Sequence, residues 1–205
     1  MPFENYEEQF NSKGYETIAG IDEVGRGCLF GDVVACAIIM PTGNLIEGVN
    51  DSKKLTPKKR ELLYDKILDT ALAVGIGRAN SEKIDSVNIK VATHIAMQTA
   101  IENLRDKEGK KISPDLVLID AERIKTKIFQ QSIIKGDENC YSIACASIVA
   151  KVYRDNLCKR WAQEFPEYGI DKHKGYATKY HREALKCYGP SEMHRMTFLK
   201  NIKKW

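Results

Sequence analysis

Apolar positions along the chain group in two ways. Short dense runs at TIAGIDEV (17–24), DVVACAIIM (32–40), AVGIGRANS (73–81), DLVLIDA (115–121) and FQQSIIKGD (129–137) predict strands. Longer stretches mix polar and apolar positions in the manner of helices. TPKKRELLYDKILDTA (56–71) opens with Thr56 as N-cap and Pro57 at the first helical position. SEKIDSVNIKVATHIAMQTAIENLRD (81–106) reads as one long helix. YSIACASIVAKVYRDNLCKRWAQEF (141–165) begins with small residues, which lets a helix approach its neighbour closely, and TKYHREALKCYG (178–189) stops at Gly189–Pro190. Three early strands with short connections predict an antiparallel meander. Two later strands predict parallel additions, and helices dominate the C-terminal part. The fold class is therefore α/β with a mixed sheet.

Composition narrows this picture. With 205 residues, 43% hydrophobic and 29% charged, the chain suits one folded domain rather than a disordered segment. Its core is expected over about 15–160, with a basic helical extension over about 161–205. The longest apolar run, Val33–Met40, is too short to span a bilayer, and the acidic start MPFENYEEQF lacks a signal-peptide pattern. A cytoplasmic protein is expected. Six cysteines show no CxxC and no zinc-type spacing with the four histidines, so reduced structural thiols are expected.

Charge is unevenly spread. Residues 151–205 carry 13 Lys and Arg against 6 Asp and Glu, a surplus of seven; the total of +4 leaves residues 1–150 at three net negative. An acidic body with a basic C-terminal quarter suits a polyanion held near carboxylates.

Acids sit at strand ends: Asp22 and Glu23, Asp120 in LVLID, and Asp137 in IIKGD. Any one of them alone reads as a turn or helix cap. Together they would repel one another strongly without a cation. Carboxylate-only clusters suit Mg²⁺ or Mn²⁺, and two such ions can promote phosphodiester hydrolysis. Adjacent strand residues point to opposite faces, so either the strand is irregular near Gly25 or Glu23 contributes partly through its backbone carbonyl. The glycine-rich GRGCLFG (25–31) is not a dinucleotide-binding turn, because it leads into a strand-like run rather than a helix.

The motifs DEVGRG (22–27), DSKKL (51–55), LID (118–120), KGD (135–137), SIACASIVAKVYRD (142–155), HKGYAT (173–178) and GPSEMHR (189–195) together resemble the type 2 ribonuclease H family, ribonuclease HII, in order and spacing. The resemblance implies a ribonuclease H-like fold: a mixed five-stranded sheet flanked by helices, with a C-terminal helical extension. It implies metal-dependent hydrolysis of RNA in RNA–DNA hybrids. It also implies cleavage 5′ of ribonucleotides embedded in duplex DNA, leaving 3′-hydroxyl and 5′-phosphate ends. Carried over, Asp22, Glu23, Asp120 and Asp137 become the catalytic, metal-binding acids, with two Mg²⁺ or Mn²⁺ ions. Gly25, Arg26 and Gly27 read the 2′-hydroxyl and hold neighbouring phosphates, Lys53 contacts the backbone, and Tyr176 senses the RNA-to-DNA step. The resemblance also admits a replication-clamp contact, although the tail FLKNIKKW (198–205) carries no motif for one, and a monomer is expected.

The chemistry agrees. Glycines bring main-chain groups close to the 2′-hydroxyl that separates RNA from DNA. Arginine grips phosphate through a forked pair of bonds, and lysine acts as a point charge.

Departures from the family pattern carry their own expectations. Cys28, Phe30 and Asp32 replace residues of GRGPLAGP, which is expected to loosen the start of the second strand and add charge there. Ala121 follows the third acid where glycine is usual. Ala177 replaces the glycine of GYGT, and at positive φ it would cost roughly 1 kcal/mol and tilt Tyr176. Arg26 and the short stretch before the first strand separate the chain from ribonuclease HIII. Arg154 and Asp155 are read as a structural pair or brace, His94 as packed among apolar residues, and the alanines at 144, 146 and 150 as packing. His173 is read equally as a phosphate neighbour or a solvated loop residue, and His194 and Arg195 receive no chemistry. Two alternatives stand beside the nuclease reading: a non-cleaving hybrid-binding module, which gains nothing from four acids, and an integrase- or resolvase-like DNA nuclease, which needs no 2′-hydroxyl reader.

Overall fold

The computed structural model describes residues 3–200. Five strands, β1 (Ile18–Val24), β2 (Val33–Ile39), β3 (Ala73–Ala79), β4 (Leu116–Asp120) and β5 (Phe129–Ile133), form one sheet in the order β3-β2-β1-β4-β5. The first three pair antiparallel, and β4 and β5 run parallel to β1, as the strand spacing predicts. Among the described residues the helices are α1 (Tyr6–Asn11), α2 (Pro57–Thr70), α3 (Ser81–Val87), α4 (Ile89–Glu102), α5 (Gly136–Asn139), α6 (Tyr141–Glu164), α7 (Ile170–His173) and α8 (Lys179–Tyr188).

Two helical layers cover the sheet. On one face Ala92, Ala96, Met97 and Ala100 of α4 pack against Ala19, Ile21, Ala35 and Ala37. On the other, Leu63 and Ile67 of α2 and Ala144, Cys145 and Ile148 of α6 meet Cys36 and Ile38. The interior strand β2 is buried along its whole length, which explains its unbroken apolar run. Removing such aliphatic side chains from water contributes about 1.5–3 kcal/mol each.

The small residues that open α6 do bring it close to the sheet. A Cβ on Gly20 of β1 would lie 2.6 Å from the Ile143 backbone nitrogen, and backbone cannot yield. A third apolar cluster, with Phe30, Leu157, Trp161, Tyr168, Ile170 and Leu185, fastens the C-terminal helices to the β1–β2 loop.

The stretch expected as one long helix is two. Asn88 takes φ +71, ends α3, and accepts a hydrogen bond from the Val91 N–H at 3.1 Å as the cap of α4. At ψ 163 this backbone lies outside the left-handed helical well, in a region seldom adopted by residues other than glycine, and the cap bond offsets part of its cost. Thr56 caps α2 as expected, accepting from the Lys59 N–H.

Among the described residues no helix is long and apolar enough to cross a membrane. All six cysteines are free, and only Cys187 is exposed.

Candidate active site

β1 delivers two acids to its C-terminal end. Its pairing with β2 stays regular through Asp22, Glu23 and Val24, so the side chains diverge as alternation demands. Asp22 turns to the α6 side, where Ser147 lines the same cleft, and its Oδ1 accepts from the Glu23 N–H at 2.8 Å. Glu23 turns the other way, its Oε1 3.2 Å from Arg26 Nη1. The irregular strand considered from the sequence is therefore absent.

Asp120 ends β4, the strand beside β1, and its Oδ1 accepts from the Gly136 N–H at 2.7 Å. That bond ties the third acid to the KGD turn after β5. Asp137, in α5, is buried, and its Oδ2 lies 3.0 Å from Lys53 Nζ. Lys53 itself stands in a short 3-10 turn, Ser52–Lys54, whose cap Asp51 accepts from the Lys53 N–H.

A cleft of about 220 Å³ collects Asp22, Glu23, Asp120, Gly25, Arg26, Gly27, Lys53 and Tyr176. Every site residue expected from the sequence lines it except Asp137, which lies behind Asp120 against Lys53. The cleft adds Ser52, Ser147 and Lys151, which sequence reading did not single out. Ser147 and Lys151 stand one helical turn apart on α6, a spacing that carries a signal only once the facing strand is known. A smaller cavity of about 120 Å³ lies between α1 and Pro41–Leu45 and carries none of the expected residues.

The electrostatics match a carboxylate cluster short of countercharge. Burial, then Glu23 and Asp120, push the Asp22 carboxyl well above its ordinary range. Burial raises Glu23 as well, although Arg26 opposes it. Burial and the neighbouring Asp137 raise Asp120. Glu23 Oε2 is buried without a partner. Among the described residues no three His, Cys, Asp or Glu side chains stand as a ready chelate. The donor chemistry nevertheless fits a hard divalent cation: the donors are carboxylate oxygens, one orphaned, in a place where ionisation is otherwise disfavoured.

Behind the cleft, two buried arginines brace the loop that carries the glycines. Arg154 donates to the carbonyls of Asp32 (2.9 Å), Phe30 (3.1 Å) and Lys174 (2.8 Å). Arg195 donates to Gly31 O (2.9 Å) and Arg26 O (2.8 Å). Gly25, at φ +89, has no room for a Cβ, which would sit 2.8 Å from Arg154 Cδ. Arg154 is thus the expected brace, while Asp155 pairs with Lys151 at 2.7 Å instead.

A family model described as Ribonuclease HII matches residues 19–201. The chain belongs to the ribonuclease HII family. It is accordingly a ribonuclease, a hydrolase acting on RNA. The ribonuclease HII of Alkaliphilus oremlandii (strain OhILAs) is 56% identical over 202 residues, covering 98% of this chain and 100% of that one. Among solved structures, the ribonuclease H2 of Pyrococcus horikoshii OT3 superposes with TM-score 0.74 at 26% identity, covering 92% of this chain and 98% of that one. The RNase HII of Archaeoglobus fulgidus, solved in complex with PCNA, gives TM-score 0.73 at 25% identity over 88% and 94%. The ribonuclease H-like fold follows from these neighbours.

Set against the ribonuclease HII pattern, several expectations need correction. The left-handed residue is Ala121, at φ +46, whereas Ala177 is not among the residues with positive φ. Strain therefore lies beside Asp120 and not beside Tyr176. Asp32 adds its charge at the start of β2 as expected, but that charge is buried and paired with Arg78 of β3 at 2.7 Å. His94 is not packed among apolar residues; its Nε2 lies 3.1 Å from Glu122 Oε2. His173 is no phosphate neighbour: it stacks on His181 at 4.5 Å between ring centroids and bonds the Tyr168 carbonyl at 2.7 Å. His194 and His181 meet at 3.1 Å between their Nε2 atoms. The Ser191 N–H points at His194 Nδ1, so His194 carries its proton on Nε2 and donates to His181. His181 then donates from Nδ1 to the Tyr176 carbonyl at 2.9 Å, holding the backbone of an exposed tyrosine.

Proposed function

We propose that the chain is an endonuclease that hydrolyses RNA in RNA–DNA hybrids and cuts 5′ of ribonucleotides embedded in duplex DNA, leaving 3′-hydroxyl and 5′-phosphate ends. The observation that carries this is one cleft shared by three carboxylates and the Gly25–Gly27 loop. Asp22, Glu23, Asp120 and Asp137 would hold two divalent cations, Mg²⁺ or Mn²⁺, with Glu23 acting through its free oxygen or its carbonyl. Such cations, when bound, neutralise phosphate charge and promote ionisation of water.

The chain's own groups do the rest. Main-chain atoms of Gly25 and Gly27 approach the sugar and test its 2′-hydroxyl. Arg26 and Lys53 contact phosphates on either side. Tyr176 lies within 3.8 Å of a Cβ built on Gly27, so its ring borders the same sugar position and packs against the next one. The basic C-terminal quarter, of which Asn201–Trp205 lie outside the described residues, grips the duplex. A replication-clamp contact is supported only by the Archaeoglobus fulgidus neighbour solved with PCNA, and the tail considered for it falls partly among those same residues.

End-labelled duplex DNA with a single ribonucleotide, incubated with Mg²⁺ or Mn²⁺, tests the proposal. One cut 5′ of the ribonucleotide is expected, and none in an all-DNA control. Asp120→Asn should lower cleavage on the order of 10²-fold or more while leaving duplex binding within a few-fold. Cutting of the control would favour a DNA nuclease, and binding without cutting in either metal a recognition module.

A further inference from the structure

Arg26 is already engaged. Its Nη1 donates to Glu23 Oε1 at 3.2 Å and to Glu122 Oε1 at 3.1 Å. Glu122 is itself held from behind, by His94 of α4. Its place depends on Ala121: the left-handed turn after β4 swings the chain so that the Glu122 carboxylate stands between α4 and the glycine loop. The pair is partly shielded from water: the Glu122 side chain is 14% exposed and that of Arg26 39%.

Two carboxylates on one guanidinium cancel its attraction for a distant phosphate. Glu23 is among the acids that would turn to a cation, after which Glu122 alone faces Arg26. A carboxylate offers this guanidinium what a phosphate offers: negative oxygens at hydrogen-bond distance. We infer that Glu122 occupies the place of a substrate phosphate and is a specificity-determining positioning residue. It holds Arg26 against the loop until a substrate that also engages Gly25 and Gly27 displaces it. An all-DNA duplex must exchange one ion pair for another of similar strength and gains little. A duplex with a ribonucleotide adds the contacts to its 2′-hydroxyl and tips the exchange.

The part of this inference that concerns ribonucleotides rests on the endoribonuclease reading; the part that concerns Arg26 rests on the ion pair alone. Fluorescence anisotropy of the full chain in Ca²⁺, a hard cation for the carboxylates that draws Glu23 from Arg26, with a labelled all-DNA duplex and its single-ribonucleotide counterpart, separates them. Glu122→Gln should bind the all-DNA duplex about 3- to 10-fold more tightly at low salt. Its log K against log salt should steepen by roughly 0.9, one added phosphate contact. The preference for the ribonucleotide duplex should fall by a similar factor. Glu122→Asp, too short to reach Arg26 well, and His94→Gln should move the same way by less. Adding Arg26→Gln should abolish the gain. All-DNA binding unchanged or weakened in Glu122→Gln and His94→Gln, or a gain that survives Arg26→Gln, overturns the inference. If the wild-type chain fails to cut the ribonucleotide duplex in Mg²⁺ or Mn²⁺, the endoribonuclease reading fails, and the all-DNA arm still decides whether Glu122 restrains Arg26.

Discussion

Lys53 places its ammonium 3.0 Å from Asp137 Oδ2, so the most buried end of the acid set already meets a cation belonging to the protein. The lysine side chain is 79% exposed and the aspartate side chain 8%, so the bond can break toward solvent at small cost. Lys53→Met should therefore act in two directions. It frees Asp137, so Mn²⁺ should raise the melting temperature at lower concentration than in the wild type. It removes a positive charge from the cleft, so duplex affinity should fall. A thermal-shift titration and a binding isotherm read these separately, and a loss in both would disprove the arrangement.

Asp22 makes a sign prediction about stability. Its carboxyl is raised in the native state, so between the ordinary value of 3.8 and the native one the folded chain holds a proton that the unfolded chain has lost. Stability drawn from that proton is present at low pH and disappears as pH rises through this window. Above the ordinary value the carboxyl is therefore a burden on the fold. In EDTA, Asp22→Asn should melt higher than the wild type at pH 7, with the advantage shrinking toward pH 4. Added Mg²⁺ or Mn²⁺ should stabilise the wild type and leave the variant nearly unmoved. Differential scanning calorimetry across pH checks both parts.

The His181–His194 pair predicts the opposite slope. Burial lowers His181 to about 4 and His194 to about 3, against an ordinary 6.5. Below pH 6.5 the unfolded chain takes up protons that the native pair refuses. Their contribution is whole above that value and drains away as pH falls toward 3 to 4. His194→Gln should be less stable than the wild type at pH 7, and the difference should narrow at pH 5. Urea melts at the two pH values would show it; a constant difference would mean the pair does not titrate this way.

Ala121 and Ala177 should behave differently when each is restored to glycine. At φ +46 a Cβ is strained, so Ala121→Gly should gain on the order of 0.5–1 kcal/mol, a rise of a few degrees in melting temperature. Ala177→Gly removes no strain and should be neutral or slightly destabilising. Equal shifts in the two variants would contradict the backbone geometry.

Strands and their terminal acids were legible because a strand buried on both faces leaves an unbroken apolar run, and a carboxylate after such a run is conspicuous. DVVACAIIM and LVLID carry that signal undiluted. The break at Asn88 was hidden, since asparagine within a helical pattern looks tolerable until its backbone is seen to take φ +71. Glu122 and His94 are 28 residues apart and meet only through the turn at Ala121, which periodicity does not reveal. The same holds for His173, His181 and His194, each ambiguous alone and informative only as a row in which His173 stacks on His181 and His181 bonds His194. The two faces of β1 were foreseen as a difficulty, and the strand resolves it by sending Asp22 to Ser147 and Glu23 to Arg26.

The bracing of the glycine loop also makes its shape a property of distant parts of the chain. Leu29 accepts from the Arg195 N–H, Gly31 donates to the Met193 carbonyl, and the Arg195 guanidinium reaches back to the Arg26 carbonyl, 169 positions away. A loop with so few bonds of its own takes its curvature from the segment that follows α8, as an arch takes its curve from its abutment. A change at Met193 or Arg195 is therefore felt at the mouth of the cleft, although neither residue touches an acid.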